Sequence, residues 1–501
     1  MPANSSLRSF SLRFLLMLGL LLPLNAMANF DFNANCLKAY QLIFELKLSS
    51  ARQLIAQERK VRPSNSIVPL LENYADYFQL ITSESKIDFD RMKEMKSKRL
   101  SQIADDNAGS PYYLYAQAEI NLQWAMLRSR YGEYFGAARE IKKANGQLQE
   151  NNKKYPGFQL NAKGLGLINV IIGSLPEGMM KSTLSTFGLR GNVREGLAML
   201  ERLAINLPKS TDEPFYEEVI FYYAYVLSDV VKSPDAYSKT MKFTARIADS
   251  SLLKSYLRAY VCSRNGHTDE AIAILSARPA SDTYQSFPYL ELLMGTAKLN
   301  KLDLSAALNF KKFLQLNKGV NYIRDANLHL AWISFLNGDT GSYNGYMGRV
   351  KTSGNSYHEK DKQALNEAGE EMPNQELLKA RLLFDGGYYS RASALTGAMD
   401  PDRLKAGRDK AEYYYRSGRI NDALNKDAAA IKDYQQAVQA GKNLKYYFAA
   451  NSALLMGKIY AGKKQNALAK AAFNEAIAMK NHEYENSIES QAKEGLRSLV
   501  N

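Results

Sequence analysis

Apolar residues recur along most of this chain at intervals of three and four, the spacing of amphipathic helices, and the pattern is clearest near the C-terminal end. Gly457, Tyr460, Ala469, Phe473 and Ala476 occupy relative positions 8, 11, 20, 24 and 27 of one 34-residue unit. Small residues at 8, 20 and 27 let two antiparallel helices approach closely, and large ones at 11 and 24 fill the space beside them. Between the two runs, Ala461-Gly462-Lys463 supplies a turn, because glycine accepts the left-handed conformation that ends a helix. The spacing therefore predicts a helical hairpin.

The pattern repeats upstream. Asn265-Gly266 separates Ala259 and Cys262 from Ala271 and Leu275, and Asn337-Gly338 follows Ala331 and Phe335. Gly386-Gly387 divides Ala380 and Leu383 from Tyr388, Ala392 and Leu395. Gly418, after Tyr413 to Tyr415, reads as another turn, after which Ala430, Tyr434 and Ala437 arrive late, as if the second helix carried an insertion. Between Leu292 and Leu316 the unit is one residue short, with Gly295 before the turn and Ala306, Phe310 and Phe313 after it. These repeated hairpins predict an all-α chain, a helical-hairpin superhelix of the tetratricopeptide type, which this spacing resembles.

The N-terminal part is helical but less regular. Ala39, Leu42, Ala51 and Ile55 keep the same offsets, and Pro63 stops the second helix. Ser110-Pro111 reads as a capped helix start, opening a run to Arg128 that Gly132 breaks before a second helix from Tyr134 to about Gln149. Residues 163–200 do not fit, because they carry seven glycines and one proline. Glycine is costly inside a helix, so short apolar helices broken by tight turns are expected, packed against the concave face or plugging the superhelix. The expected organisation is a leader at 1–28, N-terminal hairpins at 29–162, the glycine-rich element at 163–200 and a repeat array at 201–501.

Gly164, Gly166, the Gly173-Ser174-Leu175-Pro176 stretch, Gly188, Gly191 and Gly196-Leu197 resemble a segment of a eukaryotic family. That family holds the yeast inclusion-body-clearance protein and the animal tetratricopeptide-repeat-39 proteins. The preceding run, Ala118 to Ala144 with Tyr131-Gly132 and Ala137-Ala138, is also similar. The specific likeness covers about residues 118–200, and the layout extends over 36–480. The resemblance implies a binding scaffold with tetratricopeptide repeats and offers no catalytic residues. The leader sets this chain apart, so the family's intracellular roles do not carry over.

That leader has Arg8 and Arg13 before the apolar run Phe14 to Leu24, then Ala26-Met27-Ala28. This is the layout of a secretory signal peptide cleaved after Ala28. The longest later charge-free stretch of note, Gly164 to Pro176, is short and holds three glycines, below the roughly 20 apolar residues of a spanning helix. Cys36 lacks the preceding pattern of a lipid-acceptor site, and Cys36 and Cys262 are too few for a disulfide framework. No Asn-x-Ser/Thr acceptor follows residue 28. The periplasm or cell envelope is the expected compartment. The net charge of +14, or +12 without the two leader arginines, comes from bases scattered among acids. That distribution argues for solvated helix faces rather than nucleic acid.

Chemistry-bearing patterns are sparse. His267, His329, His358 and His482 are dispersed, and His358-Glu359 lacks the zinc-protease spacing, so no metal site is expected. Gly173 to Gly178 with Lys181-Ser182 departs from a phosphate-binding loop, and no cofactor is expected. The pair Cys262 and His267 reads as a packed thiol and a surface imidazole. Glu217-Glu218 and Glu370-Glu371 read as solvated helix faces. The 32 tyrosines, clustered at Tyr222-Tyr223-Tyr225, Tyr413 to Tyr415 and Tyr446-Tyr447, read mostly as packing with wet hydroxyls, the remainder lining a groove. In the last repeat, Asn451, Leu454, Lys458 and Ala461 fall on the face that would line it. The function expected is a non-catalytic scaffold for protein partners, with no binding residue singled out. The alternative is a lipid or membrane surface met through residues 164–189.

Overall fold

A helical hairpin buries its apolar face only when another hairpin stacks on it, and that dependence organises this chain from end to end. A computed structural model describes residues 30–106, 108–175 and 179–499. The leader read at 1–28, and Pro176 and Gly178 of the glycine-rich stretch, lie outside them. The described residues hold 25 α-helices and no strand.

The first hairpins are α1 (Ala34–Phe44) with α2 (Leu48–Val61), α3 (Ile67–Ser83) with α4 (Lys86–Ala104), and α5 (Pro111–Arg130) with α6 (Tyr134–Lys154). Next, α7 (Asn161–Ser174) pairs with α9 (Val193–Asn206), and the short α8 (Met179–Thr186) lies between them in the chain. The pair α10 (Tyr216–Tyr225) and α11 (Ala236–Thr244) follows, joined through a π turn at Val226–Val230. Regular hairpins resume with α12 (Leu252–Arg264) and α13 (Thr268–Ser276), then α14 (Tyr289–Asn300) and α15 (Ala306–Leu316). After α16 (Ile323–Leu336) and α17 (Thr340–Thr352) comes the single helix α18 (Glu359–Glu367). The chain continues with α19 (Gln375–Asp385) and α20 (Tyr389–Gly397), then α21 (Arg408–Ala423) and α22 (Asp427–Gly441). It closes with α23 (Phe448–Gly462), α24 (Asn466–Ala478) and α25 (Glu485–Ser498). The architecture is the expected all-α hairpin superhelix.

Local chemistry accounts for many helix ends. The Asn33 side chain accepts the backbone N–H groups of Asn35 and Cys36, and Ser110 accepts that of Tyr112 ahead of Pro111. Gly132, Gly266, Gly338 and Gly387 all take positive φ at hairpin turns. Two turn readings are corrected. Gly418 lies inside α21, where a Cβ would meet Tyr434 Cδ1 at 2.5 Å. It is the small residue of a helix crossing, and the turn comes later at Asn425, with φ 57°. The expected insertion in α22 therefore disappears, because Gly418 to Ala430, Tyr434 and Ala437 repeats the offsets from Gly457 to Ala469, Phe473 and Ala476. Gly462 ends α23, and Lys464 takes the left-handed position instead.

The glycine-rich element is also reassigned. It neither plugs the superhelix nor sits apart: α7 and α9 form one more hairpin in the stack. Their glycines let the backbones meet, since a Cβ on Gly196 would lie 2.5 Å from the Gly166 carbonyl oxygen. On its other face, Gly164 leaves room for Leu148 and Leu122. Packing at this closeness repays glycine's helix cost. The largest core runs continuously from Cys36 to Met294, and separate smaller cores serve the later hairpins.

Candidate partner-binding groove

A row of aromatic side chains links successive helices from α12 to α18. Tyr256 and Tyr260 come from α12, Tyr289 opens α14, Tyr322 caps α16 and His358 precedes α18. Their rings form a chain: Tyr260 to Tyr256 at 5.7 Å, Tyr256 to Tyr289 at 6.0 Å, Tyr289 to Tyr322 at 5.0 Å and Tyr322 to His358 at 4.3 Å. Phe287 packs beside Tyr256 at 5.0 Å.

Polar ties hold the rings. Tyr260 donates to Asp229, which also faces Arg264 at 3.8 Å, and Tyr322 Oη meets His358 Nε2 at 3.0 Å. Arg130, at the end of α5, is ion-paired to Glu84 and lies close enough to depress His358, whose imidazole burial and Arg130 together lower to about 4. Tyr225 is 38% exposed, yet burial still raises its phenol, as it raises those of the half-buried Tyr256, Tyr289 and Tyr322. The rings are thus partly open to water and otherwise enclosed. In the later hairpins the Arg381 guanidinium covers Trp332 at 4.8 Å and Arg419 covers Phe384 at 4.1 Å.

The residues proposed for the last groove segment do not stay together. Leu454 is core, Asn451 donates to the Tyr415 hydroxyl at 2.8 Å, and Lys458 is exposed and bound to Gln491 at 2.9 Å. Ala461 is half-buried. The tyrosine clusters divide as well: Tyr222, Tyr223 and Tyr415 are core, whereas Tyr225 faces the wall.

A second polar assembly went unread in the sequence. Lys163 on α7 is buried, with its ammonium 2.8 Å from Glu119 on α5 and 2.6 Å from Glu218 on α10. It also donates to Tyr115 at 3.0 Å and to Tyr74 at 3.3 Å. Glu218 accepts in addition from Tyr40 at 2.5 Å and Tyr74 at 2.8 Å. Glu218 is therefore not on a solvated face; its carboxylate is bound by side chains from α1, α3 and α7. The neighbouring Glu217 is half-buried, accepts from Ser251 and is raised to about 7 by burial. Glu119 is raised too, by burial first and by Glu218 nearby, against the lowering pull of Lys163. One ammonium between two carboxylates leaves an excess negative charge unless a proton is held. Glu370 and Glu371 do stay at the surface, pairing with Lys445 and Lys405 at 2.8 Å each.

The other titratable candidates are structural. Both thiols are free and buried, and burial pushes Cys36 and Cys262 to about 12. His267 is exposed and stacks on Tyr237 with centroids 3.7 Å apart. His329 is buried against Phe310 and Trp332, and half-buried His482 contacts its neighbour's carbonyl. Lys181 and Ser182 lie within the short α8. Among the described residues no group of three His, Cys, Asp or Glu side chains is placed to hold a metal ion, and no helix is long and apolar enough to cross a membrane.

Residues 411–440 and 450–483 match the tetratricopeptide repeat family. These segments are the α21–α22 hairpin and α23–α24 with the residues after it, so the C-terminal hairpins are tetratricopeptide repeats. No curated protein matches the chain. Among solved structures it is similar to the crystal structure of the APC/C hetero-tetramer Cut9-Hcn1, with 12% identity over 99% of each chain and a TM-score of 0.27. So low a TM-score leaves that likeness without weight.

Proposed function

We propose that this chain is an exported scaffold of the periplasm or cell envelope that binds a protein partner along its concave wall and catalyses no reaction. The aromatic chain from Tyr260 to His358 carries the reading. Aromatic rings that stay partly wet offer large contact area at little cost in side-chain freedom, which is what interfaces select. The tetratricopeptide match of the last hairpins and the scaffold role implied by the likeness of residues 118–200 point the same way. Buried thiols pushed to about 12 are poor nucleophiles, which fits a non-catalytic role. The leader motif supports export, with Asn29 as the first mature residue.

Lipid contact through residues 164–189 is the weaker reading. Leu167, Ile168, Val170 and Ile172 are buried in the core beside α9, so the segment's apolar side is already covered.

A photo-crosslinking amino acid placed at Tyr289, in cells of the source organism, tests the groove. Discrete crosslinked protein species are expected there and not from position Leu308, which is 71% exposed. Identical products from both positions, or none from Tyr289, would sink the reading.

A further inference from the structure

A second surface brings the exposed Phe135 ring and the half-buried Phe187 ring together with a group of cations. Phe135, in the first turn of α6, is 62% exposed, and Phe187, just after α8, lies 6.4 Å from it. On α6 the stripe that begins at Phe135 continues through Arg139, Lys142 and Lys143, at helical offsets of four, seven and eight. All three are exposed, and among the described residues none makes an ion pair. Arg139 instead lies over the Phe135 ring at 5.3 Å and Lys142 over the Phe187 ring at 4.9 Å. Arg190, also exposed and without an ion pair, follows three residues after Phe187.

The two carboxylates nearest Phe135 on α6 are already engaged. Glu133 holds Lys93 and Arg128, and Glu140 is buried against Lys96. Glu150 is the acid farther along the same stripe, close to Lys153 and Lys154. Among the described residues the patch therefore presents cations without ion pairs around Phe135, which stands in water, and the half-buried Phe187. The cation–ring contacts stabilise that arrangement only weakly in water, and desolvating the rings against a partner surface would add to it.

We propose that this α6–α8 face docks on an anionic membrane surface, the rings entering the headgroup boundary while Arg139, Lys142, Lys143 and Arg190 meet lipid phosphates. Aromatic rings with basic residues whose stems reach past them are the composition of interfacial contacts. Each cation near a negative leaflet adds attraction that salt screens. The inference does not rest on the proposed groove, because the patch and the Tyr260–His358 chain use different side chains.

Flotation of the mature chain with vesicles of phosphatidylcholine containing about 30 mol% phosphatidylglycerol, against pure phosphatidylcholine, tests it at roughly physiological salt. Binding is expected only to the acidic vesicles. The triple variant Arg139→Glu, Lys142→Glu, Lys143→Glu should lose at least about tenfold in affinity, and Phe135→Ala should lose about threefold or more. A control with the same charge change elsewhere, Lys311→Glu, Lys318→Glu and Lys351→Glu, should bind within about threefold of the parent. All altered positions are exposed, and unchanged thermal melting would confirm that the variants fold. Three results would each overturn the proposal. They are no binding to acidic vesicles, equal loss in the patch and control variants, and a Phe135→Ala variant that binds fully and is competed off by a soluble polyanion. The last two would mark general attraction to negative charge instead of membrane docking.

Discussion

At Lys163 one ammonium serves two carboxylates, and removing it leaves both buried without a counter-charge. Lys163→Met should cost about 3–5 kcal/mol in a urea melt, because an orphaned buried charge is far more damaging than a missing pair. The same site sets the pH response of the parent chain. Glu119 and Glu217 are both held above their ordinary 4.5, so the native state keeps protons that the unfolded chain has released. That stability is complete below about 4.5 and is lost as pH rises through about 7. Thermal stability should fall between about pH 4.5 and 7 and level off above it, and Glu119→Gln should flatten that slope; an unchanged slope would assign the loss elsewhere. Neither carboxylate was legible as buried. Two adjacent glutamates look solvated, and the partner of Glu218 lies 55 residues upstream. The available signal was the stripe Phe215, Glu218, Val219 and Tyr222, which places a charge in an otherwise apolar helix face.

At the scale of the hairpin, glycine has two duties that composition alone does not separate. At Gly266 and Gly387 it supplies positive φ; at Gly418 and Gly457 it lets a large ring cross the helix. The offsets to the following helix distinguish them, and applying the Gly457 pattern to Gly418 would have placed the turn at Asn425. A Cβ on Gly457 would stand 2.5 Å from Phe473 Cδ1. Gly457→Leu should therefore force α23 and α24 apart, at a cost of about 1–3 kcal/mol, measurable by denaturant titration. No loss would mean that the hairpin relaxes around its ring. The α7–α9 hairpin was harder to read than its neighbours because its many glycines imitate a broken helix. Only the crossing of Gly166 and Gly196 shows why they are tolerated.

Across the whole molecule the superhelix was legible and the groove was not. Hairpin spacing follows from local periodicity, whereas the face that ends up concave depends on how hairpins rotate against one another. Tyr289 and Tyr322 show no sequence mark that separates them from the buried Tyr434. The array also doubles back: the Thr268 hydroxyl donates to the Gly386 carbonyl at 2.8 Å, and Tyr388 to Asp269 at 3.0 Å. These ties join the turns of the α12–α13 and α19–α20 hairpins, which are far apart in the chain.

The sharing of Lys163 has a consequence for the order in which the chain can fold. A solenoid ordinarily assembles unit by unit, each hairpin completing itself on the one before. Here Tyr40, Tyr74 and Lys163 all bind Glu218 as well, so the first four hairpins hold the Lys163–Glu119 pair in an incomplete polar network until α10 arrives. Hydrogen exchange under native conditions should show residues 34–230 opening as one cooperative block, while the hairpins after α20 open separately at lower free energy. Graded opening along the first four hairpins would contradict this. A chain threaded across a membrane from its N-terminus would then stay unfolded through nearly its first half, competent for passage until the fifth hairpin emerges.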